Sequence, residues 1–164
     1  MVSLAYSDKY ANLGNFLKSK LVDRDNKVTI FDGKTAPNID ISYYLNRLIT
    51  GVAEGRKYEW CIVVALIYLK RIKNSGMKIT EYNIHRLLLT SILLAVKYWD
   101  DNYKITEEEY LELCGLKCEE ELTRLQIEFL VQIQWKLFIE RIDYDNMELF
   151  YMKIMTQKMN TYLI

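Results

Sequence analysis

Along most of this chain, apolar side chains return every third or fourth position, the interval that gathers them on one face of an α-helix. Residues 3–21 carry Leu4, Leu13, Phe16 and Leu17 at that spacing. A helix at 39–51 follows from Ile41, Tyr44, Leu45, Leu48 and Ile49, and another at 58–74 is nearly all apolar from Trp60 through Leu69. The second of these ends in Lys70, Arg71 and Lys73, cations suited to the negative end of a helix dipole, with Gly76 behind them as a stop. Thr80 is placed to cap a helix running to Trp99, in which Leu87, Leu88, Leu89, Ile92, Leu93, Leu94 and Val96 point in every direction around the axis. A helix apolar all round has to be surrounded by others, so this one is predicted at the centre.

Thr106 and Glu109 form the Thr-x-x-Glu pattern of a capping box, which starts a short helix that Gly115 ends. A further helix at 119–134 sets Leu122, Leu125, Phe129, Leu130 and Ile133 on one face, with Glu119, Glu120 and Glu121 at its positive end. The last, at 143–159, carries Met147, Phe150, Tyr151, Ile154 and Met155 at helical spacing. Residues 23–37 read as a connector whose only ordered-looking part is a short extended piece at 28–31, and Gly51 and Gly55 are expected to bracket a turn. No internal repeat or low-complexity tract interrupts this series.

Composition narrows the class. With 6 Gly and 1 Pro in 164 residues, 51% hydrophobic residues and 13 Tyr, the chain is poor in helix breakers and rich in core material, which predicts an all-α fold in one domain rather than a turn-dense sandwich or barrel. Lys and Arg total 22 and Asp and Glu total 22, so the basic excess that nucleic acid or an anionic membrane surface demands is missing. Neither is expected as a partner. Three cysteines, Cys61, Cys114 and Cys118, leave an odd thiol in any disulfide scheme, which fits a reducing intracellular compartment, cytoplasm or nucleus. No secretory signal and no apolar run long enough for a membrane span is legible.

Candidate chemistry is sparse. His85 is the one histidine and has no sequence context of a catalytic set, so packing or a hydrogen bond is its expected duty. Cys114 and Cys118 straddle a glycine turn and would need Cys61 and the histidine to complete a zinc site; no metal is assigned. Gly51 to Gly55 follows no strand and precedes no Lys-Ser/Thr pair, so it is no phosphate cradle. No catalytic residue, cofactor or small-molecule substrate is expected, and the chain reads as a non-enzyme. Asp100 and Asp101 sit at the C-terminal end of the central helix, where the dipole disfavours them; they either cap the following loop or pair with local lysines, or else meet a partner. Lys97, among Ala95, Val96, Tyr98 and Trp99, either snorkels to water or meets acceptors from another chain.

The passages Asn83-Ile84-His85-Arg86-Leu87-Leu88-Leu89-Thr90-Ser91, Ala95-Val96-Lys97-Tyr98-Trp99-Asp100-Asp101 and Leu122-Thr123-Arg124-Leu125-Gln126-Ile127-Glu128-Phe129-Leu130, followed by Trp135-Lys136-Leu137, resemble the cyclin box in order and spacing, and in particular the P/U-type, phosphate-pathway-like cyclins. The resemblance implies a five-helix box at residues 38–140, preceded by an N-terminal helix and connector at 1–37 and followed by a C-terminal helix at 141–164, with no second complete box. It also implies a function: binding a cyclin-dependent protein kinase and holding the kinase's mobile regulatory helix in its active position.

Transferred residue by residue, the resemblance puts the family's kinase-reaching lysine at Lys97 and its kinase-facing glutamate at Gln126, where the carboxylate is replaced by an amide. Asp100, Asp101, Arg86 and Glu128 are the secondary candidates for kinase binding. Three further departures stand out. Lys70 occupies a position where many cyclins place an aspartate of an internal ion pair, and Cys118 stands where relatives tend to have a serine cap. The first box helix lacks the Met-Arg-Ala-Ile-Leu type of substrate-docking patch. The alternative reading is a cyclin-fold adaptor that bridges other proteins without binding a kinase.

Overall fold

The computed structural model describes residues 9–53 and 58–157. Leu4, Gly55, Lys158 and Met159, each part of an expected element, lie outside the described residues. Within them the regular elements are seven helices: α1 Ala11–Lys20, α2 Ile41–Ala53, α3 Glu59–Asn74, α4 Ile84–Trp99, α5 Glu107–Cys114, α6 Glu119–Gln132 and α7 Arg141–Thr156. The fold is all-α, and α2 to α6 correspond in order to the five expected box helices, with α1 and α7 as the flanking pair.

Helix α4 is buried from Ile84 through Val96 at every position except Arg86. It contacts α2, α3 and α6, as its all-round apolar surface requires. Helix α3 is buried from Cys61 to Leu69, and α7 closes over its other side. Lys70 is exposed, as its polar head prefers. Helix α1 lies across α2 and α7. Its close approach to α2 is permitted by Gly14, where a Cβ would lie 2.9 Å from the Ser42 Cβ. Asn12 ties α1 to the end of α7 by donating to the Gln157 carbonyl at 2.6 Å.

Several local expectations are corrected. Gly51 lies inside α2 instead of opening a turn, because α2 is displaced two residues beyond the expected span. The small residue leaves room for Leu113 of α5, whose Cδ2 would be 2.3 Å from a Cβ at this position. The central helix starts at Ile84, not just after Thr80. Residues 80–83 form a preceding turn in which Thr80 N–H donates to the Asn83 side chain at 2.9 Å, and Tyr82 N–H donates to Thr80 Oγ1. Residues 28–31 form no strand; Phe31 instead drives its ring fully into the core, edge-on to Phe129 at 6.2 Å. The connector is thereby a strap over the box. It is fastened by Val22 N–H to the Ile79 carbonyl at 3.0 Å and Gly33 N–H to the Tyr82 carbonyl at 3.0 Å.

Both ends of α5 follow the sequence signals. Thr106 and Glu109 make both bonds of the capping box, at 3.2 and 2.8 Å. Gly115 ends α5 in the left-handed region at φ 76°. Cys118 occupies the N-cap of α6 with no side-chain cap bond, consistent with the poor acceptor strength of a thiol.

Candidate functional site

Polar groups converge where α4 ends. The last turn of α4 projects Lys97 toward the start of α5 and the middle of α6. Its Nζ donates to Glu107 Oε1 at 2.7 Å and to Gln126 Oε1 at 3.0 Å. Three helices therefore meet through one ammonium. Gln126 is 8% exposed, and its Nε2 donates to the Leu122 carbonyl at 3.2 Å, one turn back on α6. With its oxygen on the ammonium and its NH₂ on a carbonyl, each end of the amide has a complementary partner. Lys97 keeps about a third of its side chain in water, and so does Glu107, at 33% and 35%. The cluster is a rim feature with one face open.

The local sequence sets this geometry. The capping box makes Glu107 the first residue of α5, beside the end of α4. The loop between the two helices is tightened by Asp100, whose Oδ1 accepts the Asn102 N–H at 2.9 Å while Oδ2 accepts the Tyr58 hydroxyl. Asp100 is thus engaged by its own loop, the first of the two readings open to it. Asp101, next to it, is exposed.

The remaining candidates lie apart from Lys97. Arg86 is 11 residues earlier on α4, about 16 Å along the axis at the helical rise. Its guanidinium donates to the Ile30 carbonyl of the strap at 2.9 Å and pairs with Glu121 of α6 at 2.8 Å. Glu128 accepts from Gln132 Nε2 at 2.9 Å along its own helix. Of the six candidate residues, the structure joins Lys97 to Gln126, sets Asp100 and Asp101 just beyond them, and gives Arg86 and Glu128 intramolecular partners elsewhere.

Two groups of residues at this end of the molecule escaped the sequence reading. One is Glu107, which lies in the first turn of α5 beside the capping-box pair Thr106 and Glu109 and was not singled out. The other is aromatic. Tyr98 and Trp99 are exposed at the end of an otherwise buried helix, and Trp135 and Phe138, in the turn after α6, are 62% and 59% exposed. Trp99 lies 6.0 Å from Phe138 and 5.0 Å from Tyr98, ring to ring. That turn is firmly held. Gln134 and Trp135 both adopt left-handed backbone, at φ 57° and 59°, a conformation that costs on the order of 1 kcal/mol per non-glycine residue. Tyr68 donates to the Leu137 carbonyl at 2.8 Å and accepts from Trp99 Nε1 at 3.0 Å, and Arg71 donates to the Lys136 and Phe138 carbonyls. Burial pushes the Tyr68 phenol up to about 12, so it remains a donor throughout the physiological range. The signal for this surface is the break in helical spacing after Ile133, where aromatics persist without a face to occupy.

His85 is a core residue. Its Nε2 donates to the Ile39 carbonyl at 2.8 Å, which assigns the proton to that nitrogen, and its ring meets Tyr44 edge-on at 5.1 Å. Burial lowers its pKa, so the ring is neutral at pH 7. The cleft between α2 and α5, about 400 Å³, is lined by Arg47, Gly51, Ile105, Glu109, Glu112 and Leu113. Its charged groups serve local structure: Arg47 donates to the Glu112 carbonyl at 2.9 Å and Glu109 belongs to the capping box. Among the described residues no group of three or more His, Cys, Asp or Glu could hold a metal ion, and no helix is long and apolar enough to cross a membrane.

A family model described as Cyclin matches residues 4–137. Cyclin-U3-1 of Arabidopsis thaliana is 32% identical over 136 residues, covering 75% of this chain and 58% of that protein. Cyclin-U2-1 of the same plant is 35% identical over 116 residues, covering 69% of this chain and 50% of that protein. Cyclin-P3-1 of Oryza sativa subsp. japonica is 31% identical over 117 residues, covering 68% and 46%. The chain spans about half the length of the curated relatives it matches.

Proposed function

Because the chain belongs to the cyclin family and resembles its P- and U-type members, we propose that it is a regulatory subunit that binds and activates a cyclin-dependent-type protein kinase. In this reading residues 38–140 are the box that meets the kinase. Kinase chemistry requires a lysine–glutamate pair between a strand and the mobile regulatory helix, together with a metal-binding aspartate, to be in place at once. A protein that binds the active arrangement more tightly than the inactive one shifts the population toward it without chemistry of its own.

The observation that carries the reading is the end of α4, where Lys97 meets Gln126 at 3.0 Å with part of its side chain open to solvent. Lys97 suits the role of donor to a partner's carbonyl groups. The adjoining Tyr98, Trp99, Trp135 and Phe138 supply the exposed aromatic area on which protein interfaces concentrate their binding energy. Asp100 and Asp101 flank this surface. Arg86 and Glu128 act in it indirectly, by holding the strap and the last turns of α6.

The test is co-purification of the chain from its own cells at near-native salt, followed by a phosphoryl-transfer assay of the kinase recovered with and without it. The expected result is a bound kinase whose rate rises when the chain is present. Recovery with other proteins but no kinase would replace this reading with that of an adaptor. Lys97→Ala is expected to weaken association by at least ~1 kcal/mol, about fivefold; an unchanged dissociation constant would show that Lys97 does not face the kinase.

A further inference from the structure

A lysine presents three N–H donors on a stem with four rotatable bonds, and unless something holds it, binding has to pay for fixing that stem. Lys97 is held on two sides. Gln126 contributes a neutral acceptor at 3.0 Å and Glu107 a charged one at 2.7 Å. Both holders stand on fixed elements. Gln126 is buried and bonded to the Leu122 carbonyl, and Glu107 is set in place as the first residue of α5 by the capping box. Two donors are thus committed inside the molecule, and the third remains for an acceptor outside it, on a side chain that is a third exposed.

We propose that Glu107 is a positioning residue for partner binding, which supplies from α5 the negative charge that Gln126 does not supply from α6. The inference rests on the reading of Lys97 as the kinase-facing lysine. Glu107 orients the ammonium and does not compete for it, because a carbonyl acceptor of the partner takes the remaining N–H without displacing either bond. The preset rotamer lowers the ordering cost of association. A neutral pair at this site leaves the lysine free to swing into water.

The experiment titrates the kinase that co-purifies with the wild-type chain against variants of the chain. Glu107→Gln is expected to weaken association about two- to fivefold. In a Lys97→Ala background the same change is expected to have no further effect, since Glu107 acts only through the lysine. The double variant Glu107→Gln, Gln126→Glu returns the carboxylate to Lys97 from the other helix and is expected to recover most of the loss; a purely structural contribution to α5 would not be rescued this way. On the free chain, ¹⁵N NMR of the lysine side chains is expected to show a Lys97 ammonium protected from solvent exchange in the wild type and not in Glu107→Gln. Unchanged or tighter kinase binding by Glu107→Gln, an equal loss in the Lys97→Ala background, or no protection of the Lys97 signal would each overturn the proposal while leaving the kinase-binding reading intact. A wild-type chain that binds no kinase would overturn both.

Discussion

Gly14→Ala sets two known effects against each other at one atom. In an isolated helix, alanine is better than glycine by about 1 kcal/mol, so α1 considered alone is stabilised by the change. In the folded molecule the new Cβ lies 2.9 Å from the Ser42 Cβ, 3.1 Å from its backbone nitrogen and 3.3 Å from its Cα. Carbon atoms prefer separations of about 3.5 to 4.0 Å, so α1 has to withdraw from α2 by roughly half an ångström or more. Ser42 has little freedom to yield. Its N–H donates to Asp40 Oδ1 at 2.9 Å, its hydroxyl bonds the same oxygen, and Asp40 is paired in turn with Lys18 of α1 at 3.0 Å. Leu13 and Leu17, buried on either side of Gly14, lose contact as the helix lifts. Overpacking of this kind costs about 1 to 3 kcal/mol, which outweighs the propensity gain and leaves a net loss of about 1 kcal/mol. With a urea slope of about 2 kcal/mol/M, the unfolding midpoint followed by circular dichroism falls by about 0.5 M. A peptide of residues 9–21 carrying the same change is expected to gain helicity, which isolates the tertiary contribution. A midpoint equal to or above the wild type, at unchanged slope, would refute the account of α1 packing.

Phe31→Ala removes the ring that anchors the strap; because it is fully buried against Phe129, a loss of about 3 kcal/mol is expected in the same urea assay, and a loss under ~1 kcal/mol would mean that the strap is not packed as described. The pH dependence of stability carries the mark of His85. Its folded pKa is depressed below 6.5 by burial, so above pH 6.5 its contribution is fully present, and as pH falls from there through the folded value the unfolded chain takes up the proton first and stability is lost. The wild-type midpoint is therefore expected to drop more between pH 7 and pH 5 than that of His85→Gln; equal drops would remove His85 as the cause. Tyr68→Phe leaves the Leu137 carbonyl and Trp99 Nε1 without their shared hydroxyl, at a cost of about 1 to 3 kcal/mol, and is expected to shift tryptophan emission as the turn loosens. An unaltered spectrum and midpoint would show that the turn is held by Arg71 alone.

The regular elements were legible because a helix is specified locally. The spacing of Leu122, Leu125 and Phe129, the Thr106–Glu109 box and the glycine after Cys114 each act within one or two turns, and no distant residue is needed to interpret them. The central place of α4 was legible for the same reason, since a surface apolar in every direction admits one environment. The cyclin resemblance then singled out Lys97 and Gln126, which the fold brings within hydrogen-bonding distance across 29 positions. What the sequence could not specify depends on how the helices cross. Phe31 has no periodic neighbours, so nothing in its surroundings marks a buried anchor until the strap is laid over α6. Gly51 looked like punctuation and Gly14 had no assigned role, yet both sit in helix interiors, where they admit Leu113 and Ser42 from other helices. Glu107 is one of three glutamates in the first turn of α5 with nothing local to single it out, and only the placement of α5 beside the end of α4 turns it into the partner of Lys97. Local free energies of a few tenths of a kcal/mol per residue fix where helices start and stop, whereas the meeting of side chains from separate helices is fixed by the packing of the whole core, which no short stretch of chain contains.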